Sequence, residues 1–413
     1  MVENIRIRNY KSIVDLTMDL GRFNVIIGTN GCGKSNILEA ITMAAAASQD
    51  KLDAESLKNR GIRETEPQFM MNAFDDIEIE DYSAIQVDIK DVGDSNVESA
   101  IIKYSTKTEK WENLGDISSE PKLLKMFKKL KSLLDKNKPQ DGAEIDADTL
   151  TTIIDQSITR EVLVKALDFM ERADDNKNID KEEFDGIFGK SYTENPVYTN
   201  FVAYRPVEKI LRDFNNYTTY PLGSRGEGLF QYLKKLAEKE ESNNFFEEIN
   251  DGLRMLDWFD GFNIPDGLLS NEYKLSIGDK FLKDSLHYFD QRSTNEGFLY
   301  LLFFLTLFNS KDTPQFFAVD NIETSFNPGL CQSLTKYLIK TTKEKEKQVI
   351  LTTHNPFVLD GMDLSDDEVR LFVCRRDIDG HTKIERVKYR EDRKMSLSEL
   401  WMSGLIGALP DNF

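Results

Sequence analysis

A glycine-rich turn near the amino terminus constrains the fold of this chain more than any other feature. An apolar stretch at residues 23–27 precedes the turn, and residues 35–42 after it have the apolar spacing of a helix. A strand, a glycine-rich turn and a helix in this order predict a phosphate-binding loop in an α/β protein. The turn has the pattern G-x-x-x-x-G-K-S and consists of Gly28, Thr29, Asn30, Gly31, Cys32, Gly33, Lys34 and Ser35.

The residue types in this turn explain how it would hold a triphosphate. Glycines let backbone N–H groups wrap phosphate oxygens at the positive end of the following helix. Lys34 is predicted to reach the β- and γ-phosphates, and the Ser35 hydroxyl is predicted to bind Mg²⁺. The predicted nucleotide site extends to Asn36, and the predicted cofactors are ATP and Mg²⁺. A glycine-rich turn without a ligand is the alternative, and the flanking strand and helix argue against it.

Two later strands end in polar residues that suit the same site. Residues 315–320 are an apolar stretch that ends in Asp320, and residues 348–353 are followed by His354. An Asp at the end of a strand beside the phosphate loop completes the ligands of Mg²⁺. A His after the next strand can hydrogen-bond the γ-phosphate or the attacking water, although a lone His is more often structural.

These motifs in this order resemble those of ABC-type ATPases, and residues 5–13 resemble the opening of the RecF, SMC and OLD-like branch. Residues 325–328 match the D-loop of the same family. The resemblance covers residues 1–65 and 270–360. It implies an α/β ABC-type P-loop ATPase head, with a mixed sheet and flanking helices, that pairs with a second head around ATP and Mg²⁺.

The resemblance also implies a signature segment that contacts the γ-phosphate bound to the opposite subunit. Asn295 stands where Ser is usual, but its amide can still donate a hydrogen bond. An ordinary helix cap before the apolar run at 298–308 is the alternative interpretation. The best match to the segment is Ser293, Thr294, Asn295, Glu296 and Gly297.

The residue after Asp320 departs from the family pattern. The family places a glutamate there to polarise the attacking water, and this chain has Asn321. Because an amide accepts no proton at neutral pH, we predict slow hydrolysis, with ATP held mainly as a clamp. Glu323 matches a second acidic residue of the RecF and OLD-like branch and is the candidate substitute. The residues predicted to act in hydrolysis are Lys34, Asn321, Glu323 and His354.

The middle of the chain has a different character. Residues 66–204 are rich in polar residues, include a strand-like stretch at 84–89, and have a charge-rich helical pattern from 120 to 188. We predict a discontinuous head formed by residues 1–65 and 205–413, with a largely helical inserted lobe at 66–204. A chain of 413 residues exceeds the usual size of a single core, which favours such a division.

Two segments of the predicted insertion have alternative interpretations. Residues 122–138 alternate apolar and lysine positions at helical spacing, which is typical of a solvated amphipathic helix or of a surface for a partner or nucleic acid. Residues 174–184 resemble a calcium loop, but Ile179 stands where that loop needs glycine. A polar turn between helices is therefore favoured there.

The net charge and the cysteine spacing bear on the cellular location and on the kind of surface the protein presents. The formal net charge of −19 argues against a surface that is basic throughout. Cys32, Cys331 and Cys374 have neither disulfide-like nor metal-ligand spacing, which favours a reducing cytoplasm. The amino terminus lacks the pattern of a signal peptide, and no apolar run has the length of a membrane span. We therefore expect a cytoplasmic protein without a membrane partner.

The carboxy-terminal part bears on the predicted partner. About sixty residues follow His354, with a hairpin expected at 369–373 and 384–387, and we expect no nuclease domain in so short a tail. The OLD-like resemblance then implies a separate nuclease effector, similar to those of the Septu or PARIS anti-phage defences. Family position further suggests that Arg8, Asn9 and Lys11 contact adenine, with an ordinary strand surface as the alternative.

Alternative functions stay open alongside control of an effector by a homodimer or higher homo-oligomer. A RecF-like DNA-binding repair ATPase would need a positive groove across paired heads. A scaffold that uses ATP only to assemble is suggested by Asn321. A transporter nucleotide domain fits least, because the opening strands and the large insertion do not suit it.

Overall fold

The computed structural model describes the chain in six stretches. They are residues 1–114 without 64, 73, 75–83, 94–96 and 107; 196–212; 221–239; 242–283 without 266, 270–271 and 273; 288–391; and 395–407.

The elements alternate between strands and helices along the chain. The strands are β1 (Val2–Tyr10), β2 (Ile13–Asp19), β3 (Phe23–Ile27), β4 (Ile85–Asp91), β5 (Val97–Ser105), β6 (Lys110–Asn113), β7 (Ala203–Tyr204), β8 (Phe259–Asn263), β9 (Ser276–Asp279), β10 (Phe316–Val319), β11 (Gln348–Thr352), β12 (Val369–Arg376) and β13 (Thr382–Val387). The helices are α1 (Lys34–Ser48), α2 (Ala54–Asn59), α3 (Pro67–Met70), α4 (Glu208–Arg212), α5 (Leu229–Ala237), α6 (Asn243–Leu253), α7 (Glu296–Asn309), α8 (Pro328–Glu344) and α9 (Leu397–Met402), with 3₁₀ turns at Val197–Asn200 and Pro356–Gly361.

A six-stranded sheet carries the predicted motifs. Its order is β13-β12-β3-β11-β10-β7, and all of its strands run parallel except the edge strand β13. Every residue of β3, β10 and β11 is buried, as expected for parallel strands covered on both faces. Because these strands are parallel, the residues that follow β3, β11, β10 and β7 meet at one edge of the sheet.

A second, antiparallel sheet has the order β2-β1-β4-β5-β6. In β1 the apolar Ile5 and Ile7 are buried, and the intervening Arg6 is exposed, which is the alternation of a sheet with one covered face. The helix α1 belongs to the same hydrophobic cluster as this sheet and the inward residues of β10 and β11. Its alanines at 44–47 are fully buried, and their small size lets the helix lie close to its neighbours.

The strands β4 to β6 lie inside the range 66–204 that the sequence suggested as a largely helical insertion. The stretch expected at 84–89 is a strand, and it pairs with β1 in the head. The strands β4, β5 and β6 therefore continue the first sheet and are not helical. The patterns at 122–138 and 174–184 lie outside the described residues, and the division into head and insertion stays a prediction.

A second hydrophobic cluster lies on the other side of the six-stranded sheet. Its centre is α7, whose residues 298–309 are all buried, so the apolar run is a core helix as predicted. The predicted carboxy-terminal hairpin is also present as β12 and β13. In the described part of the chain, no helix has both the length and the apolar character needed to cross a membrane.

Candidate functional site

The phosphate-loop residues connect the end of β3 to the start of α1. Gly33 caps α1 with φ 113°, and a Cβ atom there would lie 2.2 Å from Thr382 Oγ1, so only glycine fits. Gly31 also has a positive φ of 78°, but open space surrounds its Cβ position. No acidic residue lies in the first turn of α1. The loop therefore presents an uncompensated helix N-terminus, which suits an anion.

The Lys34 side chain folds back over this loop. It is buried, and its Nζ donates to Gly28 O at 2.7 Å and to Thr29 O at 3.1 Å. Both acceptors belong to the loop itself. The ammonium group therefore lies within the phosphate loop, where its predicted role of binding the β- and γ-phosphates requires it.

Ser35 and Asp320 come together from distant parts of the sequence. Ser35 Oγ donates to Asp320 Oδ2 at 3.1 Å, and Thr352 Oγ1 donates to Asp320 Oδ1 at 2.5 Å. Thr352 Oγ1 also accepts the Asn321 backbone N–H at 2.9 Å. Hydroxyl and carboxylate oxygens are the ligands that Mg²⁺ prefers, so these residues fit that ion. No motif in the sequence points to this role for Thr352.

His354 lies at the exit of β11, beside Glu323. Its backbone N–H donates to Glu323 Oε1 at 2.9 Å, and Glu323 Oε2 is buried without a hydrogen-bond partner among the described residues. Burial, and then the nearby positive charge of Lys34, lower the pKa of His354 below its ordinary value of 6.5. The imidazole is therefore neutral at pH 7, and it can both donate and accept a hydrogen bond.

Asn321 has a left-handed backbone conformation. Its φ is 61°, and Ser325 in the same loop has φ 66°. Asn adopts positive φ more readily than most other residue types, so the backbone gives a physical reason for Asn where the family has Glu. Thr324 Oγ1 donates to Asn321 O at 2.8 Å and fixes the turn.

The segment that resembles the signature motif forms the start of α7. Asn295 is its N-cap, and the Asn295 Oδ1 atom accepts the Phe298 N–H at 2.8 Å, as the helix-cap interpretation expected. Ser293 Oγ contacts Asp290 Oδ1 at 3.4 Å. Ser325 Oγ donates to Glu296 Oε2 at 2.9 Å, so the loop after Asp320 contacts this segment directly. Gly297 lies at the same contact, since a Cβ there would be 3.4 Å from Ser325 O.

Arg212 holds the turn that leads into α7. Its Nη1 donates to the backbone oxygens of Gln291, Arg292 and Thr294 at 3.0, 2.9 and 3.0 Å. The guanidinium Nε also pairs with Glu208. One side chain on α4 thus fixes three backbone acceptors in the turn that begins the signature-like segment. No motif in the sequence identified this role.

Two further arginines lie near Asp320, and no motif in the sequence points to either. Arg205 Nη1 lies 4.0 Å from Asp320 Oδ2. Arg63 pairs with the buried Glu39 at 2.6 Å. Burial lowers the pKa of Arg63, but the hydrogen bond and charge of Glu39, and then the charge of Asp320, raise it overall. Arg205 follows β7, a strand of two residues that is too short for a periodic pattern to reveal.

The adenine contacts suggested for Arg8, Asn9 and Lys11 stay a prediction, and all three side chains have partners within the fold. Asn9 is 1% exposed, its Nδ2 donates to Ala84 O, and its Oδ1 accepts the Asn72 N–H. Arg8 pairs with Asp88 at 2.9 Å, and Lys11 pairs with Glu39 at 2.5 Å. The residues at this strand end therefore join β1 to its neighbours.

Two cysteines that are distant in sequence meet at the phosphate loop. Cys374 Sγ lies 3.4 Å from Cys32 O, and both side chains are buried and free of disulfides. The neighbouring Cys374 thiol, and then the positive charge of Lys34, lower the pKa of Cys32 below its ordinary value. Their sequence spacing concealed this contact, because it depends on β12 pairing with β3.

The parallel sheet, the phosphate loop and the Ser35–Asp320 contact define a P-loop ATPase with an ABC-type, SMC-like head. The chain belongs to the AAA ATPase domain family, which matches residues 1–359. None of the curated protein sequences compared with the chain matches it.

Solved structures that match the chain include SMC heads. One is described as the SmcHead bound to the C-winged helix domain of ScpA; it has a TM-score of 0.51 and 13% identity, over 94% of this chain and 98% of that one. The SMC head domain from Thermotoga maritima has a TM-score of 0.44 and 13% identity, over 94% and 99%. An Smc head with an extended coiled coil, bound to the C-terminal domain of ScpA derived from Pyrococcus furiosus, has a TM-score of 0.49 and 12% identity, over 98% of each chain.

Proposed function

We propose that this chain binds ATP with Mg²⁺ between paired heads, hydrolyses it slowly, and uses the bound state to control a partner protein. The observation that carries the proposal is the contact of Ser35 Oγ with Asp320 Oδ2 at 3.1 Å. It joins the phosphate loop to the strand end on which a P-loop ATPase holds its metal.

Each group at this sheet edge has a proposed role. Backbone N–H groups at 28–36 and the Lys34 ammonium would bind the phosphates, and Ser35 and Asp320 would hold Mg²⁺. The bound ion supplies charge neutralisation on the phosphate oxygens. Thr352 keeps Asp320 oriented through its 2.5 Å hydrogen bond.

The proposed slow turnover follows from the groups that could accept a proton. Asn321 cannot act as a base, and one oxygen of Glu323 is occupied by the His354 N–H. Neutral His354 is the remaining side chain suited to orient water or the γ-phosphate. We therefore expect turnover below about 1 s⁻¹, the lower end for ordinary enzymes.

Head pairing is supported by the loop after Asp320. Ser325, in the segment that resembles the D-loop, contacts Glu296 of the signature-like segment. Ser293, Asn295, Glu296 and Gly297 would then approach the nucleotide of the opposite head. A homodimer is the smallest assembly that completes such a site, and larger homo-oligomers retain the same pairing.

The proposed partner is a separate effector, a nuclease, in a cytoplasmic anti-phage defence system. The support is the resemblance to OLD-like, Septu and PARIS ATPases. In addition, an SMC head of similar fold is described as bound to a domain of ScpA, so this type of head can bind another protein.

Nucleotide binding, oligomeric state and turnover test the biochemical part. Wild type should bind ATP with Mg²⁺ and pair in its presence, and both properties should be lost in Lys34→Ala. Arg254→Ala is the control, because Arg254 forms only an exposed pair with Asp251 in the described structure. Unchanged ATP affinity and self-association in Lys34→Ala would refute the proposal, and rapid steady-state hydrolysis by wild type would refute its slow-turnover part.

Co-purification from the native host tests the partner. A nuclease that elutes with the ATPase would support control of an effector, whereas nucleic acid with salt-sensitive binding would support the RecF-like alternative. Asn321 favours the second candidate, a scaffold without catalysis. That candidate predicts no turnover above background and the same assembly with ATP and a non-hydrolysable analogue.

A further inference from the structure

Arg205 follows β7, the last strand of the sheet, and lies at the same sheet edge as the residues that follow β3, β11 and β10. Ala203 and Tyr204 of β7 pair in parallel register with Ala318 and Val319 of β10. The Asp320 backbone N–H donates to Tyr204 O at 2.8 Å. Arg205 and Asp320 are therefore the next residues of two adjacent parallel strands, and both emerge at the edge that holds the phosphate loop.

The backbone of Arg205 is fixed, whereas its side chain is free to move. Its N–H donates to Ser224 O at 2.7 Å, and the Val207 N–H donates to Arg225 O at 2.9 Å. The guanidinium is 59% exposed and forms no hydrogen bond with any described residue. Its one ion pair, with Asp320 at 4.0 Å, is longer than a hydrogen bond.

Other arginines around the loop already have partners. Arg60 donates to the backbone oxygens of Thr199 and Phe201, both at 3.2 Å. Arg63 is bound to Glu39 at 2.6 Å, and Arg376 donates to Gly31 O at 2.9 Å. Arg205 differs from these three because its donors remain available for a ligand.

We propose that Arg205 binds the γ-phosphate of ATP in its own head and is a further catalytic residue, an inference that rests on the proposed function. Asp320 no longer needs Arg205 as a counter-charge once its carboxylate binds a metal. A guanidinium with unused donors then satisfies the terminal phosphate oxygens, where charge develops during transfer. Lys34, His354, Glu323 and Arg63 are the other ionisable groups in this region, and Arg205 adds positive charge on the Asp320 side.

The test compares ATP-type and ADP binding, so it does not depend on turnover. Calorimetry with Mg²⁺ would measure the affinity of the full chain for ADP and for a non-hydrolysable ATP analogue. Arg205→Ala should weaken the analogue by about tenfold or more and ADP by less than about twofold, as expected for one lost charged hydrogen bond to the γ-phosphate. Arg205→Lys should lie between, because lysine keeps the charge but not the fork of donors.

Arg225→Ala is the matched control. Arg225 lies in the adjacent turn, its side chain is exposed, and it has no ion pair with the described residues. Arg225→Ala changes the net charge by the same amount as Arg205→Ala, and it should leave the affinities for ADP and for the ATP analogue unchanged.

The outcomes separate this inference from the proposed function. Suppose that wild type binds both nucleotides and that Arg205→Ala changes the two affinities equally or leaves both unchanged. Arg205 is then only a counter-ion of Asp320, and the inference is overturned. If wild type binds neither nucleotide, the proposed function fails, and the inference fails with it.

Discussion

Thr352→Val removes one hydroxyl that holds two parts of the candidate site together. Thr352 is fully buried, its Oγ1 donates to Asp320 Oδ1 at 2.5 Å, and it accepts the Asn321 N–H at 2.9 Å. Valine has the same shape but cannot form either bond. The loss of one hydrogen bond to a charged group should cost about 1.5–3 kcal/mol, and the Asn321 N–H left without this partner adds about 1 kcal/mol or more.

The functional cost should be smaller than the full sum, since part of it is lost stability of the sheet edge. We expect the Mg²⁺-dependent affinity for ATP to fall by about tenfold, because Asp320 loses the group that orients it. Calorimetry at several Mg²⁺ concentrations, combined with thermal unfolding, measures both effects. Thr352→Ser is the control, because it retains the hydroxyl and loses only a methyl group worth about 1 kcal/mol.

A Thr352→Val protein with wild-type unfolding and wild-type Mg²⁺ dependence would refute this reasoning. So would a Thr352→Ser protein that loses as much Mg²⁺-dependent affinity as the valine variant. The first result would show that the hydrogen bonds contribute nothing measurable, and the second that packing of the methyl group, and not the hydroxyl, orients Asp320.

Three further predictions concern separate groups. ATPase activity should be constant around neutral pH and fall only at acidic pH, below the ordinary His pKa of 6.5. The reason is that the pKa of His354 is lowered, so its imidazole becomes protonated, and loses its function, only in acid. A His354→Gln variant should therefore show a flatter dependence of kcat on pH. Arg212→Ala should reduce kcat by about tenfold or more, while the Kd for ATP stays within about threefold of wild type. The substitution removes the hydrogen bonds that hold the turn before α7 but leaves the phosphate loop intact. A parallel loss of ATP binding would contradict this prediction. Iodoacetamide labelling, followed by mass spectrometry, should modify Cys32 faster than Cys331 and should be slowed by ATP. The two side chains are similarly buried, but the pKa of Cys32 is lowered and the pKa of Cys331 is raised by burial, so Cys331 is the internal control.

Local patterns allowed much of the sheet edge to be predicted. The apolar strands before Gly28, Asp320 and His354 end in residues whose chemistry suits phosphate and metal, and the structure places all three strands side by side. The long apolar helix α7 and the hairpin β12–β13 also have clear periodicity or turn signals. Each of these elements can be recognised without knowing what it packs against.

Pairing between distant segments could not be predicted in the same way. The bond of Thr352 to Asp320 depends on the register between β10 and β11, and Arg205 depends on β7, which has two residues. The strand β4 was expected, but its pairing with β1, about 80 residues away, could not be predicted from a local pattern. Asn9 was suggested for adenine by family position, and in the fold its amide donates to Ala84 O and accepts the Asn72 N–H. The predicted partner, defence role and head pairing stay predictions.

The contacts at the sheet edge also explain how the state of one site could affect the other head. Asp320 and Asn321 begin a tight loop whose Ser325 contacts Glu296, and Glu296 belongs to the segment proposed to face the opposite nucleotide. Arg205 begins the segment that contains α4, whose Arg212 fixes the turn before the same helix. The segments 320–325 and 205–212 therefore connect the surroundings of the Asp320 carboxylate to the start of α7 through the contacts of Ser325 and Arg212. Since Asn321 stands in place of the usual base, we propose that these segments chiefly transmit the ATP-bound state of one head to the other. Slow hydrolysis would then set the lifetime of that state.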